Sequence, residues 1–241
     1  MCLVVFALGG WNDAPFVLAA NRDEYFARPA APAAWWKHEG RDVFGGRDLE
    51  KGGTWMAISP EKRIAVVTNV RDLSKPQTGK SRGLLPLIAL ASEAHSLTID
   101  VAEYPAFNLL AGDGDAMFYV SDDAGARRVA PGFHGLSNHR LDTLWPKVKR
   151  GLAVLARGPS KDALFEMLRD DRPAPDDELP KTGVPIDVER KLSSPFVSMP
   201  EVGYGTRCST VVIRRANGSL EFEERTWNAR GELAGVVSVI L

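Results

Sequence analysis

The run Cys2-Leu3-Val4-Val5-Phe6-Ala7-Leu8 is the strongest constraint in this chain. It is apolar and made largely of residues that favour strands. Gly9-Gly10-Trp11-Asn12-Asp13 follows as a turn, and a second apolar run extends from Phe16 to Ala20. Two such runs around a short Gly-containing loop read as a β-hairpin. The second run passes directly into Asn21-Arg22-Asp23-Glu24, four polar residues at a strand end.

Cys2 has two readings. A cysteine at the head of an apolar strand is ordinarily a small buried hydrophobe. If Met1 is removed, Cys2 instead carries its own α-amino group beside its thiol, which makes a nucleophile with a built-in base.

Further strands are expected at residues 54–59 and 63–70, joined by Ser59-Pro60-Glu61-Lys62. The second ends in another polar cluster, Thr68-Asn69-Val70-Arg71-Asp72. Residues 27–42, rich in Ala and Pro and carrying Trp35, Trp36 and His38, read as irregular, with the two tryptophans candidates to line a groove. A helix is expected over 81–94, with Ser81 as N-cap and Pro86 in its first turn. Residues 107–111 and 116–121 form a hairpin around Gly112-Asp113-Gly114-Asp115, and 133–137 form a strand ending at Asn138. Leu141, Leu144, Trp145, Val148, Leu152 and Leu155 fall at helical spacing. Pro146 must lie in the first turn of that helix, which sets its start near Asp142 or Thr143. A second helix runs from Ser160 to about Asp170. The last third is β-rich: strands at 208–214 and 220–227 around Asn217-Gly218, a bulge near 223–225, and a closing apolar strand at 231–241.

Strand hairpins at both ends with the long helices between them are an α+β pattern, with mainly antiparallel sheets packed in layers with helices. The 241 residues, 44% of them hydrophobic, suffice for a sizeable core. One domain over 1–241 is expected. Its segment at about 171–200, with six prolines, reads as irregular and lid-like.

The balance of charge narrows the function. A net charge of −1 lacks the basic stripe that nucleic acid binding requires. Residues 1–10 are apolar but have no basic region before them, so no secretory leader is expected, and no apolar run approaches a membrane span. Two cysteines, Cys2 and Cys208, make no disulfide framework, and a cytoplasmic protein is expected. The histidines are scattered, so no metal site is expected.

Acyl transfer by an N-terminal thiol needs a base, a positive charge near the thiolate and donors for the oxyanion. Polar residues at or near strand ends supply candidates: Cys2, Arg22, Asp23, Asn69, Asn138 and Arg207. Arg22 would stabilise the thiolate, Asp23 would orient the α-ammonium, and Asn69 and Asn138 would donate to the oxyanion. Taken singly, each reads as a turn-former or solvated loop residue, and only their combination argues for a site. Arg22 and Asp23 are adjacent, and consecutive strand residues point to opposite faces, so only one faces Cys2 unless the strand has ended.

Met1-Cys2 with Asn21-Arg22-Asp23-Glu24 resembles the NRDE family, also called the Transport and Golgi Organisation family. Gly45-Gly46-Arg47-Asp48, Gly53-Thr54-Trp55, Thr68-Asn69-Val70-Arg71, Ser81-Arg82-Gly83, Leu136-Ser137-Asn138 and Tyr204-Gly205-Thr206-Arg207 extend the resemblance along almost the whole chain. That family resembles the N-terminal-nucleophile hydrolases. The resemblance implies a four-layer αββα sandwich and a site built from Cys2, Arg22, Asp23, Asn69, Asn138 and Arg207 in that order. Two functions are implied. One is hydrolysis of a non-peptide carbon–nitrogen (amide) bond in a small molecule, with no cofactor required. The other is haem binding or haem transfer without hydrolysis, for which His38, His95, His134, His139 and Cys2 are the axial candidates.

Overall fold

Consecutive residues of a strand face opposite sides of its sheet. In β1 (Cys2–Leu8) and β2 (Phe16–Tyr25) nearly every residue is buried, so both faces must be covered. Val4, Phe6 and Leu8, with Phe16, Leu18 and Ala20, enter a core shared with a second sheet. Leu3, Val5 and Ala7, with Val17 and Ala19, pack beneath helices.

The computed structural model describes residues 2–75, 77–92 and 99–241. The first sheet has the order β10 (Gly132–Leu136), β1, β2, β12 (Tyr204–Arg214), β13 (Leu220–Trp227) and β14 (Leu233–Ile240), and β11 (Ser198–Met199) adds to β12. The second runs in chain order through β3 (Ala30–His38), β4 (Arg41–Asp48), β5 (Met56–Ile58), β6 (Ile64–Asn69), β7 (Phe107–Gly112), β8 (Met117–Ser121) and β9 (Ala124–Arg128). Neighbouring strands are antiparallel throughout. Helices α2 (Pro146–Leu155) and α3 (Lys161–Leu168) cover the outer face of the first sheet. Helix α1 (Leu85–Ala91) covers that of the second. The architecture is thus α+β in four layers, helix–sheet–sheet–helix. No helix among the described residues is long and apolar enough to cross a membrane.

Several boundaries differ from the sequence reading for identifiable reasons. Residues 30–38 form β3 rather than irregular chain. It is an edge strand, and Pro32 falls where the register with β4 shifts between Ala31 and Ala34, a place where a missing N–H does no harm. Helix α2 starts at Pro146, because the ring of a proline pushes the preceding residue out of the helical region, and Trp145 is extended at ψ 154°. The helix expected over 81–94 is a 3-10 turn at Arg82–Leu84 followed by α1, and positions 93 and 94 lie outside the described residues. The bulge expected at 223–225 lies between Thr226 and Trp227, against β14. Strand β9 is exposed along its whole length and carries no apolar alternation to announce it. The segment at 171–200 holds a short helix, α4 (Ile186–Leu192), as well as β11.

Candidate active site

Cys2 lies directly opposite Arg22 in the β1–β2 ladder, and Cys208 lies opposite Arg22 from the other side, in β12. The two cysteines are therefore two strand spacings apart, about 9.5 Å, beyond disulfide reach. Cys208 is buried, and burial with the nearby Glu224 charge pushes its thiol well above its ordinary range. Cys2 is half-buried and lines a cavity of about 380 Å³.

β2 has not ended at Arg22 and Asp23, so the two side chains diverge. Arg22 follows Ala20 and Leu18 toward the second sheet, where its guanidinium lies 4.3 Å from the Trp55 ring. Its Nη2 is 3.9 Å from Glu24, and its Nη1 is buried with no hydrogen-bond partner among the described residues. Asp23 follows Ala19 and Val17 toward the helices. Its Oδ1 accepts from Thr206 Oγ1 at 2.7 Å, and Lys147 Nζ of α2 stands 3.9 Å from Oδ2. Lys147 and Asp23 are 1% and 2% exposed. Burial pushes the Asp23 carboxyl up and the Lys147 amine down, outweighing the attraction between them. Tyr204 donates to the Asp23 carbonyl oxygen at 3.0 Å.

Asn69 ends β6 and lines the same cavity. Asn138 is buried behind it: Nδ2 donates to Asn69 Oδ1 at 2.9 Å and to the Asn69 carbonyl at 3.1 Å, while the Asn138 carbonyl accepts from Arg71 N–H at 2.7 Å. Ser137 Oγ donates to the Cys2 carbonyl at 2.9 Å, and Thr68 Oγ1 donates to the Ser137 carbonyl at 2.9 Å. Together these bonds tie the ends of β1, β6 and β10.

Arg207 stands apart. It falls where the β12–β2 register shifts between Thr206 and Cys208, so a bulge redirects it. Its Nη1 donates to the Tyr25 and Arg28 carbonyls at 2.8 and 2.9 Å, and it lies 5.3 Å from the Phe26 ring. It clamps the turn after β2. The cavity thus gathers Cys2, Arg22, Asp23 and Asn69, with Asn138 behind Asn69 and Arg207 outside the lining.

The cavity also holds residues to which sequence reasoning gave no role. Trp55 closes one wall under Arg22, and Gly46 makes room for it: a Cβ there would sit 2.0 Å from the ring. Gly53 lies against the Gly83 backbone, where a Cβ would come within 2.5 Å of the Gly83 carbonyl, and Thr54 N–H donates to Gly83 O at 2.9 Å. This close approach sets Arg82 on the cavity wall. Burial lowers the Arg82 pKa, with Cys2 and Glu24 acting in the opposite direction. Position in Ser81-Arg82-Gly83 was the signal; its direction depends on a backbone contact that no local pattern reveals. Trp35 and Trp36 do not line this cavity. Trp35 is exposed beside Phe44, and Trp36 Nε1 donates to Gly45 O at 3.1 Å.

Among the described residues no three His, Cys, Asp or Glu side chains are placed to hold a metal ion. His134 uses both ring nitrogens, toward Asp142 Oδ2 and the Ala130 carbonyl at 2.9 Å each. His139 Nδ1 meets Thr143 Oγ1 at 3.0 Å. His95 lies outside the described residues. His38 lines a second cavity, about 860 Å³, with Arg41, Leu84, Leu87 and Ile88.

A family model described as Transport and Golgi organisation 2 matches residues 1–229. The Transport and Golgi organization protein 2 homolog of Bos taurus is 32% identical over 259 residues, covering 94% of this chain and 93% of the relative. The Homo sapiens homolog is 30% identical over 258 residues, with the same coverage of 94% and 93%. Transport and Golgi organization protein 2 of Drosophila melanogaster is 30% identical over 266 residues, covering 94% and 92%. Among solved structures, the Caenorhabditis elegans N-acylethanolamine-hydrolyzing acid amidase ortholog is similar over 88% of this chain and 92% of its own, with a TM-score of 0.43 and 9% identity.

Proposed function

The chain belongs to the Transport and Golgi organisation 2 family, and from the geometry of its cavity we propose that it is a cysteine hydrolase of a carbon–nitrogen amide bond, with Cys2 as nucleophile once Met1 is removed. One observation carries the reading: Cys2 opens into a cavity whose wall brings a guanidinium and a side-chain amide to it from separate parts of the chain, Arg22 and Asn69.

The chemistry follows from these groups. The α-amine of Cys2, with an ordinary pKa of about 7.7–8.0, takes the thiol proton. The thiolate attacks the amide carbon, and the C–N bond breaks as the α-ammonium returns that proton to the leaving amine. Water then hydrolyses the thioester, giving a carboxylic acid and free Cys2. Arg22 supplies positive charge beside the thiolate. Asn69 is the side-chain donor for the oxyanion. Its Oδ1 is held by Asn138, which leaves Nδ2 with a single 3.5 Å contact among the described residues, to the Val70 carbonyl. Asp23 and its Lys147 partner lie on the helix side of the same strand end, where the Asp23 carboxyl serves to orient the α-ammonium. Asn138 and Arg207 act as positioning residues. The test is release of amine from a panel of small amides: Cys2→Ala is expected to abolish it, and retention of the wild-type rate by that variant would defeat the reading.

A second reading, haem binding or transfer, is favoured by the cavity at His38. That cavity offers an imidazole, an apolar wall of Leu84, Leu87 and Ile88, and Arg41 for a propionate. A haem titration is expected to give a Soret shift that His38→Ala removes. No shift, or the same shift in the variant, would rule that site out.

A further inference from the structure

The charges around the Cys2 cavity are unevenly matched. Five cationic side chains line it, Arg22, Arg28, Lys51, Lys80 and Arg82, against three acidic ones, Asp23, Glu24 and Asp48. Each acid is already engaged. Asp48 takes Arg28 through Oδ2 at 2.7–2.8 Å and the backbone N–H groups of Glu50 and Lys51 through Oδ1. Glu24 lies 3.9 Å from both Arg22 and Arg28 and accepts from Tyr25 N–H. Asp23 is turned to the helix side, against Thr206 and Lys147. Lys80 is taken by Glu103 at 2.7 Å, outside the cavity lining.

Arg82 is different. Among the described residues it makes a single long hydrogen bond, Nη1 to the Ala106 carbonyl at 3.3 Å, and no carboxylate of those residues forms an ion pair with it. A half-buried guanidinium on a cavity wall with most of its fork uncommitted matches a planar anion, which it binds through two parallel N–H donors. Arg22, against Trp55 and opposite Cys2 in the β1–β2 ladder, lines the same cavity.

We infer that the amide taken by this cavity carries a carboxylate, which Arg82 binds while Arg22 serves the reacting centre. The inference rests on the hydrolase reading for the word amide, but the binding preference stands independently of turnover. Neutral amides of the same shape would leave Arg82 without a counter-charge.

The test measures binding to the Cys2→Ser variant, which separates recognition from chemistry. The probes are N-acyl amino acids, each paired with its own primary carboxamide, and the readouts are calorimetry and thermal shift. The carboxylate member of the best pair is expected to bind at least about tenfold more tightly. Arg82→Gln should remove that preference and Arg82→Lys should restore part of it, with melting curves confirming that both variants fold. Equal binding of the carboxamides, no binding by any carboxylate, or a preference that survives Arg82→Gln would overturn the inference. So would an Arg82→Gln variant that merely slows alkylation of Cys2 by a neutral electrophile, since Arg82 would then serve the thiol. If the preference holds while Cys2→Ala has no effect on amide turnover, the hydrolase reading fails and the carboxylate site stands.

Discussion

Arg71 and Glu189 face each other at 2.9 Å, with both side chains buried. Arg71 comes from the loop after β6 and Glu189 from α4, so the pair fastens the proline-rich segment to the strand ends beside Asn69 and Asn138. The contact is an ion pair without hydrogen-bond alignment. Arg71 also lies 4.6 Å from the Trp145 ring, and Thr182 Oγ1 donates to Glu189 Oε1. Burial lowers the Arg71 pKa, and the Glu189 charge opposes that shift.

Removing one charge of a buried pair leaves the other without compensation, at a cost of about 3–5 kcal/mol. Glu189→Gln is therefore expected to lower stability by about 3 kcal/mol in urea unfolding. Because Arg71 N–H holds the Asn138 carbonyl, the same variant should also slow amide turnover. A loss below about 1 kcal/mol would show that the pair does not anchor the segment.

The Asp23–Lys147 pair predicts coupling of a different kind. Lys147→Met alone leaves Asp23 buried and should destabilise the fold by several kcal/mol, roughly 3 or more. Adding Asp23→Asn should recover most of that loss. A double-mutant cycle in which the two effects simply add would contradict the coupling.

Asn69 and Asn138 are expected to separate in kinetics. Asn69→Ala removes an oxyanion donor and should lower kcat by about 10²–10³. Asn138→Ala frees Asn69 Oδ1 and should lower kcat less, with a larger cost in stability because Asn138 is fully buried. Equal kinetic effects with no stability difference would place both amides at the oxyanion.

His134 sets a pH dependence. Its Nε2 faces a carbonyl and its Nδ1 a carboxylate, two acceptors best met by the doubly protonated ring. The hydrogen bond to Asp142 raises its pKa above the ordinary 6.5. The stabilisation from this contact is fully present below about 6.5 and is lost as pH rises through the raised folded value. Melting temperature across that window should fall in the wild type more than in Asp142→Asn, and an identical slope in both would refute the assignment.

The sequence made part of this site readable and hid the rest for physical reasons. Cys2 heads an apolar strand and Arg22, Asp23 and Asn69 sit in polar clusters at the ends of apolar strands, and that pattern is visible without a structure. The αββα layering followed from resemblance and is met by β1 and β2, buried on both faces. Adjacency left open which of Arg22 and Asp23 faces Cys2; the continuation of β2 to Tyr25 sends them to opposite layers. Arg207 could not be placed because a bulge turns it, and a bulge is a register event between strands distant in sequence. Arg82 and Lys147 were hidden because their positions depend on the Gly53–Gly83 contact and on the seating of α2, neither of which leaves a local periodic trace.

The proposed nucleophile is Cys2 with its own α-amine. It is tested most directly by intact mass of the protein purified from its native host, before and after a thiol-directed electrophile. A chain lacking Met1 and a single adduct that maps to Cys2 are expected, with Cys208 protected by burial. Retention of Met1, or labelling that spares Cys2, would contradict it.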